Sequence, residues 1–205
     1  MIVEVFADVS CAFTHFGLRH LVAQRTRRGL DFRFLVRAWP LEWVNGRPID
    51  PAAIARQAAA LRSAVSPDSF AGLDPTTFPT TSIPAFGLVA AAYAIDVDRG
   101  EAMSLAVRDA LFEHGRDVSD VVVLREIGSS LGVEPLPLDA AEHAVRLDWE
   151  RGRALAVVGS PHFFTPDGDG FFCPSLDITK GDGGPQVEYR PDVVEALLAR
   201  LARQA

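Results

Sequence analysis

A chain of 205 residues, 48% apolar and 23% charged, is long enough to bury a full core and suits one domain or one domain carrying an insertion. Its net charge of −7 argues against a nucleic-acid-binding surface, and no apolar run approaches the roughly 20 residues that span a bilayer. Two cysteines, with no basic leader or cleavage site at the N-terminus, imply a reducing, cytoplasmic setting where thiols are catalytic, ligating or simply buried.

Ile2–Ala7 is a short apolar run flanked by turn residues, as a buried strand requires. Residues 12–28 carry Thr14, Leu18, Leu21 and Val22 at helical spacing, and the pattern stops at Gly29. Phe32, Phe34, Val36 and Ala38 then alternate with Arg33, Leu35 and Arg37, the period-two pattern of a strand. Strand, helix, strand is a βαβ unit, so these strands should be parallel and joined by a right-handed crossover.

From Arg47 to about Arg153 no strand pattern persists. Pro51 opens an Ala-rich helix, Thr76–Pro84 is a Pro/Thr-rich loop, and helical patterns follow at about 82–96, 100–114, 119–131 and 139–153. Ser119 is the predicted N-cap of one helix and Gly132 its stop, while Asp139 with Glu142 approximates a capping box. Strand character returns in Pro161–Thr165 and Phe171–Cys173, which flank the turn sequence Asp167-Gly168-Asp169-Gly170. Pro191 opens a last helix with Val194, Leu197, Leu198 and Leu201 on one stripe. The order is β-α-β, a helical insertion, then β-β-α, which divides the chain into 1–46, 47–155 and 156–205.

Cys11 lies where the first strand ends and the first helix begins. A thiol there meets the unpaired N–H groups of the helix N-terminus, which stabilise thiolate over thiol. Three residues on, where a redox dithiol places its second cysteine, the chain has Thr14. A single nucleophile is restricted to mixed disulfides with a small thiol or a protein. The competing reading is that a lone cysteine is a small buried apolar side chain.

Three segments carry a wider likeness. Ser10-Cys11-Ala12-Phe13-Thr14 matches a CxxC position, Leu111–Asp120 contains Gly115-Arg116-Asp117 ahead of an Asp-capped helix, and Val158-Gly159-Ser160-Pro161-His162 matches a cis-proline segment. In these the chain resembles the DsbA-like branch of the thioredoxin superfamily. That branch includes cytoplasmic FrnE-like proteins, kappa-class glutathione transferases and 2-hydroxychromene-2-carboxylate isomerases. The resemblance covers nearly the whole chain. It implies an α/β thioredoxin fold with a large all-helical insertion at 47–155 between the N-terminal half, 1–46, and the C-terminal half, 156–205.

It also implies a thiol oxidoreductase with Cys11 as nucleophile and a cis Ser160–Pro161 bond facing it. The small thiol or disulfide partner would be glutathione or mycothiol in kind; relatives often dimerise, so a homodimer is one option, and the sequence does not fix the oligomeric state. The usual internal proline and resolving cysteine are absent. That leaves two other readings open: a bound thiol cofactor that carries transferase or isomerase chemistry, and a non-catalytic binding module that keeps the cleft.

Thr14 reads equally as an ordinary first-turn hydroxyl or as a hydrogen-bond donor to the thiolate. Pro161 also suits the plain opening of a strand. His162 and His15 each read as partners that raise the Cys11 thiolate fraction or as packed histidines with satisfied bonds. Phe13, Trp39 and Trp43 are placed around the thiol-binding cleft, although core packing suits the tryptophans as well. Cys173 should pair near Phe164 on the sheet edge, roughly 10 Å from Cys11, too far for a disulfide. No histidine or cysteine pair has zinc-ligand spacing, so no metal is expected.

Overall fold

The computed structural model describes residues 1–181 and 184–204. β1 (Ile2–Ala7) and β2 (Arg33–Ala38) run parallel with Val5 opposite Val36, and α1 (Ala12–Arg28) connects them. Gly29 ends α1 at φ 62°, a left-handed conformation that glycine adopts without a Cβ clash. β3 (His162–Phe164) is antiparallel to β1, and β4 (Gly170–Phe172) is antiparallel to β3. The sheet order β2-β1-β3-β4, closed by α8 (Pro191–Gln204), is the thioredoxin arrangement expected from the sequence.

Between β2 and β3 the chain is helical: α2 (Leu41–Asn45), α3 (Pro51–Ala64), α4 (Ile83–Tyr93), α5 (Val97–Phe112), α6 (Val121–Ser129) and α7 (Leu138–Ala154). Two caps read from local sequence are replaced. Asp120, the aspartate cap that the motif resemblance implies, and not Ser119, caps α6 by accepting from the Val122 amide at 2.8 Å, while Ser119 donates to Asp117 in the preceding turn. At α7 the N-cap is Pro137 and no side-chain bond forms there, so the Asp139/Glu142 box is absent; Asp139 sits in the first turn, where its charge still suits the helix dipole.

A second hairpin was not expected. β5 (Leu176–Gly181) and β6 (Gly184–Tyr189) pair antiparallel, with Ile178 opposite Val187, and pack against α3. Its buried side chains are Leu176 and Val187, too few to stand out as a core-facing alternation.

One face of the four-stranded sheet, through Val3, Val5, Ala7, Phe34, Val36 and Phe163, packs on α1 and α8. The whole predicted α8 stripe is buried there, at about 2 kcal/mol for each leucine removed from water. The other face presents Phe6 to Trp39, Trp149 and Phe164. β2 is a sheet edge, and the helices satisfy its free backbone groups. The Phe34 amide donates to Glu101 (2.6 Å) and the Ala38 amide to Asp148 (2.9 Å). The Tyr93 hydroxyl accepts from Val36 N and donates to Phe34 O, both at 2.8 Å. Among the described residues no helix is long and apolar enough to cross a membrane.

Candidate functional site

Cys11 is the N-cap residue of α1, in extended conformation, and its carbonyl accepts the His15 amide. Its thiol is almost entirely buried and donates to the backbone carbonyl of Ser160 at 3.4 Å. The Ser160–Pro161 peptide is cis. The Ser160 hydroxyl accepts the Asp8 amide at 2.9 Å and lies 2.9 Å from the Thr14 hydroxyl. Cys11, Thr14, Ser160 and Pro161 therefore meet as expected, with one difference: the hydroxyl partner of Thr14 is Ser160.

Two residues beneath this turn escaped sequence reasoning. Asp8 is fully buried; its carboxylate accepts Ser10 N (2.8 Å), Ser10 Oγ (2.6 Å), Ser82 Oγ (2.8 Å) and Leu41 N. One side chain thus ties the β1–α1 turn to α2 and to the start of α4. The available signal was Asp8-Val9-Ser10, a sequence suited to an Asx turn. Arg108 of α5 is also buried and donates to Ser104 and to the Asp8 carbonyl. Nothing in a helical charge pattern marks such an arginine as internal.

The histidines are occupied elsewhere. His162 lies opposite Phe6, its ring centroid 4.4 Å from that of Phe164, and its Nδ1 accepts the Val158 amide at 3.3 Å. Strand alternation puts it on the Phe6 face of the sheet, away from the face that α1 covers, and burial pushes its pKa down. His15 packs against Phe112 and Phe70, with Nε2 2.6 Å from Glu113. Burial pushes His15 down, so a neutral ring donates Nε2–H and leaves Nδ1 buried without a partner. Burial raises the Glu113 carboxyl, but the bonds from His15 and from the Phe70 and Ala71 amides outweigh it and bring it to about 2. Next to this contact Gly115 has φ 64°, and a Cβ there would collide with the Gly72 carbonyl; this motif glycine thus allows a close approach of backbones.

Trp39 is core rather than cleft: it stacks on Trp149 at 4.3 Å and meets Phe6 edge-on, while Trp43 meets Trp149 edge-on. Phe13, two residues from Cys11, lines a cavity of about 370 Å³ with Arg56 and Gln57 of α3 and Ile178–Gly181 of β5. Cys173 lies beyond the His162–Phe172 pair, so it sits opposite Pro161 and not near Phe164; its amide donates to the Pro161 carbonyl at 2.9 Å. Both cysteines are free, and burial pushes the Cys173 thiol up to about 12.

No protein-family model and no curated protein sequence matches this chain. Solved structures do. A Nitrosomonas europaea protein described provisionally as a protein disulfide isomerase superposes with a TM-score of 0.66 at 16% identity, over 99% of this chain and 98% of that one. The cytosolic disulfide reductase DsbM from Pseudomonas aeruginosa gives 0.64 at 18% identity over 100% of both chains, and its structure with GSH gives 0.63. A 2-hydroxychromene-2-carboxylate isomerase gives 0.53 at 17% identity, over 100% of this chain and 97% of that one. These likenesses establish the DsbA-like thioredoxin fold along the chain's whole length.

Proposed function

We propose, taking the DsbA-like fold as the premise, that the chain is a cytoplasmic thiol–disulfide oxidoreductase working through Cys11 alone on a small thiol or disulfide such as glutathione or mycothiol. The observation that carries this reading is a thiol at the N-terminus of α1, bonded to the carbonyl of the cis-proline segment, with a hydroxyl one turn on where a second thiol would be.

The cycle starts when Cys11 releases its proton to solvent. A thiolate cannot donate, so the Ser160 carbonyl becomes free to accept an N–H from a bound peptide or peptide-like thiol. Sγ attacks one sulfur of a disulfide, forms a mixed disulfide and releases the other half as a thiolate, which takes up a proton. A second small thiol, as thiolate, then attacks the substrate sulfur; a new disulfide leaves and Cys11 returns. Cys173, buried and held as a neutral thiol, does not compete.

Incubation with oxidised glutathione, followed by intact-mass measurement and peptide mapping, tests this reading. One glutathionyl group on Cys11 is expected. The adduct and the reduction of a generic disulfide should both be lost in Cys11→Ser. A chain that gains no adduct at Cys11, or a serine variant with undiminished turnover, overturns it; the second result would favour a bound thiol cofactor.

A further inference from the structure

Among the described residues Arg108 is a buried cation with no carboxylate in salt-bridge contact. Its residue is 1% exposed, its Nη1 donates to Ser104 O (2.9 Å) and Ser104 Oγ (2.7 Å), its Nη2 donates to Asp8 O (3.1 Å), and its Nε has no partner. Removing a guanidinium from water is costly unless its five N–H donors are met, and here only three are. An apolar side chain of similar volume would fill the same space without that cost.

The Asp8 carbonyl that holds Arg108 also accepts the Cys11 amide at 3.4 Å, so the cation lies one carbonyl away from the backbone of the nucleophile. The ionisable groups whose charge acts most on Arg108 are Asp8 and Cys11 from the β1–α1 turn, Tyr93 from α4, and Asp109 on its own helix. The Asp8 carboxylate is taken up by Ser10, Ser82 and Leu41, and Asp109 pairs with Arg19. Tyr93, and Cys173 beside the Pro161 carbonyl, are both pushed up by burial and stay neutral. Burial lowers Arg108 only to about 10, so it is charged at neutral pH.

We infer that Arg108 is a positioning residue for Cys11: it pins the Asp8 carbonyl that carries the Cys11 amide, and its buried charge offsets the Asp8 carboxylate and favours the thiolate. Without it, the buried Asp8 carboxylate of the same turn would stand unopposed, and an anion opposes thiolate formation. This inference rests on the reading of Cys11 as nucleophile.

The test is the rate of Cys11 alkylation by iodoacetamide as a function of pH in the full chain, with Cys173 as internal control. Arg108→Met and Arg108→Gln should each slow alkylation at neutral pH by about tenfold, the effect of one pH unit, and move the curve to higher pH. Arg108→Lys, which keeps the charge but not the fork, should recover most of the rate. A folded Met or Gln variant with the wild-type curve overturns the inference. So does a result in which neither neutral variant folds while the Lys variant does, because the charge then serves only the fold. If wild-type Cys11 reacts no faster than Cys173, the nucleophile reading itself falls; a reactive wild type with unchanged variants removes only the role of Arg108.

Discussion

The Thr14 hydroxyl lies 2.9 Å from the Ser160 hydroxyl, so the position that carries the second thiol of a dithiol site is bonded here to the cis-proline segment. Thr14→Cys tests what this exchange means. The variant restores Cys-x-x-Cys across the first turn of α1, and a disulfide from Cys11 to the new thiol should form and titrate with a definable reduction potential. Oxidation or reduction of a generic substrate should appear with it. A variant that closes the bond yet exchanges nothing would instead mark Thr14 as part of a cofactor-binding site.

Asp8→Asn should destabilise the chain by about 3 kcal/mol, because an amide nitrogen would face one of the buried donors that the carboxylate now accepts. For a chain of this size that is roughly 6–12 °C in Tm. Urea melts would show the loss, and unchanged stability would contradict the tie described between the β1–α1 turn, α2 and α4.

The two thiols should differ sharply in the native state. Both thiols are buried, but Cys173 is held protonated, so iodoacetamide at neutral pH should label Cys11 first and reach Cys173 only when denaturant is added. Peptide mapping after timed quenching gives the order, and equal rates would argue against a nucleophilic Cys11.

Acid should loosen the contact between α1 and α5 in two stages of one sign. His15 is held below its ordinary value, so its folded form resists protonation, and stability falls as pH drops below about 6.5, the free-histidine value. Glu113 is held at about 2 against an ordinary 4.5, so its contribution is full above 4.5 and is lost between there and about 2. Thermal melts from neutral to acid pH should show both declines. In Glu113→Gln the lower stage should flatten; an unaltered acid limb would show that this carboxylate does not titrate as described.

Legibility in the sequence followed the range of the forces involved. β1, α1, β2 and α8 were readable because period-two and period-3.6 patterns report which side faces apolar surface, and the α8 stripe is buried in full. The meeting of Cys11, Thr14 and Ser160–Pro161 was readable from family motifs. The β5–β6 hairpin was not, since it buries little beyond Leu176 and Val187. Asp8 and Arg108 were missed because the burial of a charged side chain is decided by contacts across 100 residues of sequence, which no local spacing encodes. For His162 the sequence left a site partner and a packed histidine both open, and for Trp39 cleft and core, because neither choice is decided locally. Which sheet face a strand residue presents depends on register, and that is settled only when β3 pairs with β1.

The side chains that complete the β2 edge have a consequence for motion. Tyr93, Glu101 and Asp148 come from α4, α5 and α7, and between them they hold three amides and one carbonyl of β2. Swinging those helices away as a rigid body would strip these groups at once and expose the unpaired outer edge of β2. The helices are therefore welded to the sheet rather than hinged on it. Deuterium should enter the Phe34, Val36 and Ala38 amides together and at the slow rate of whole-molecule opening.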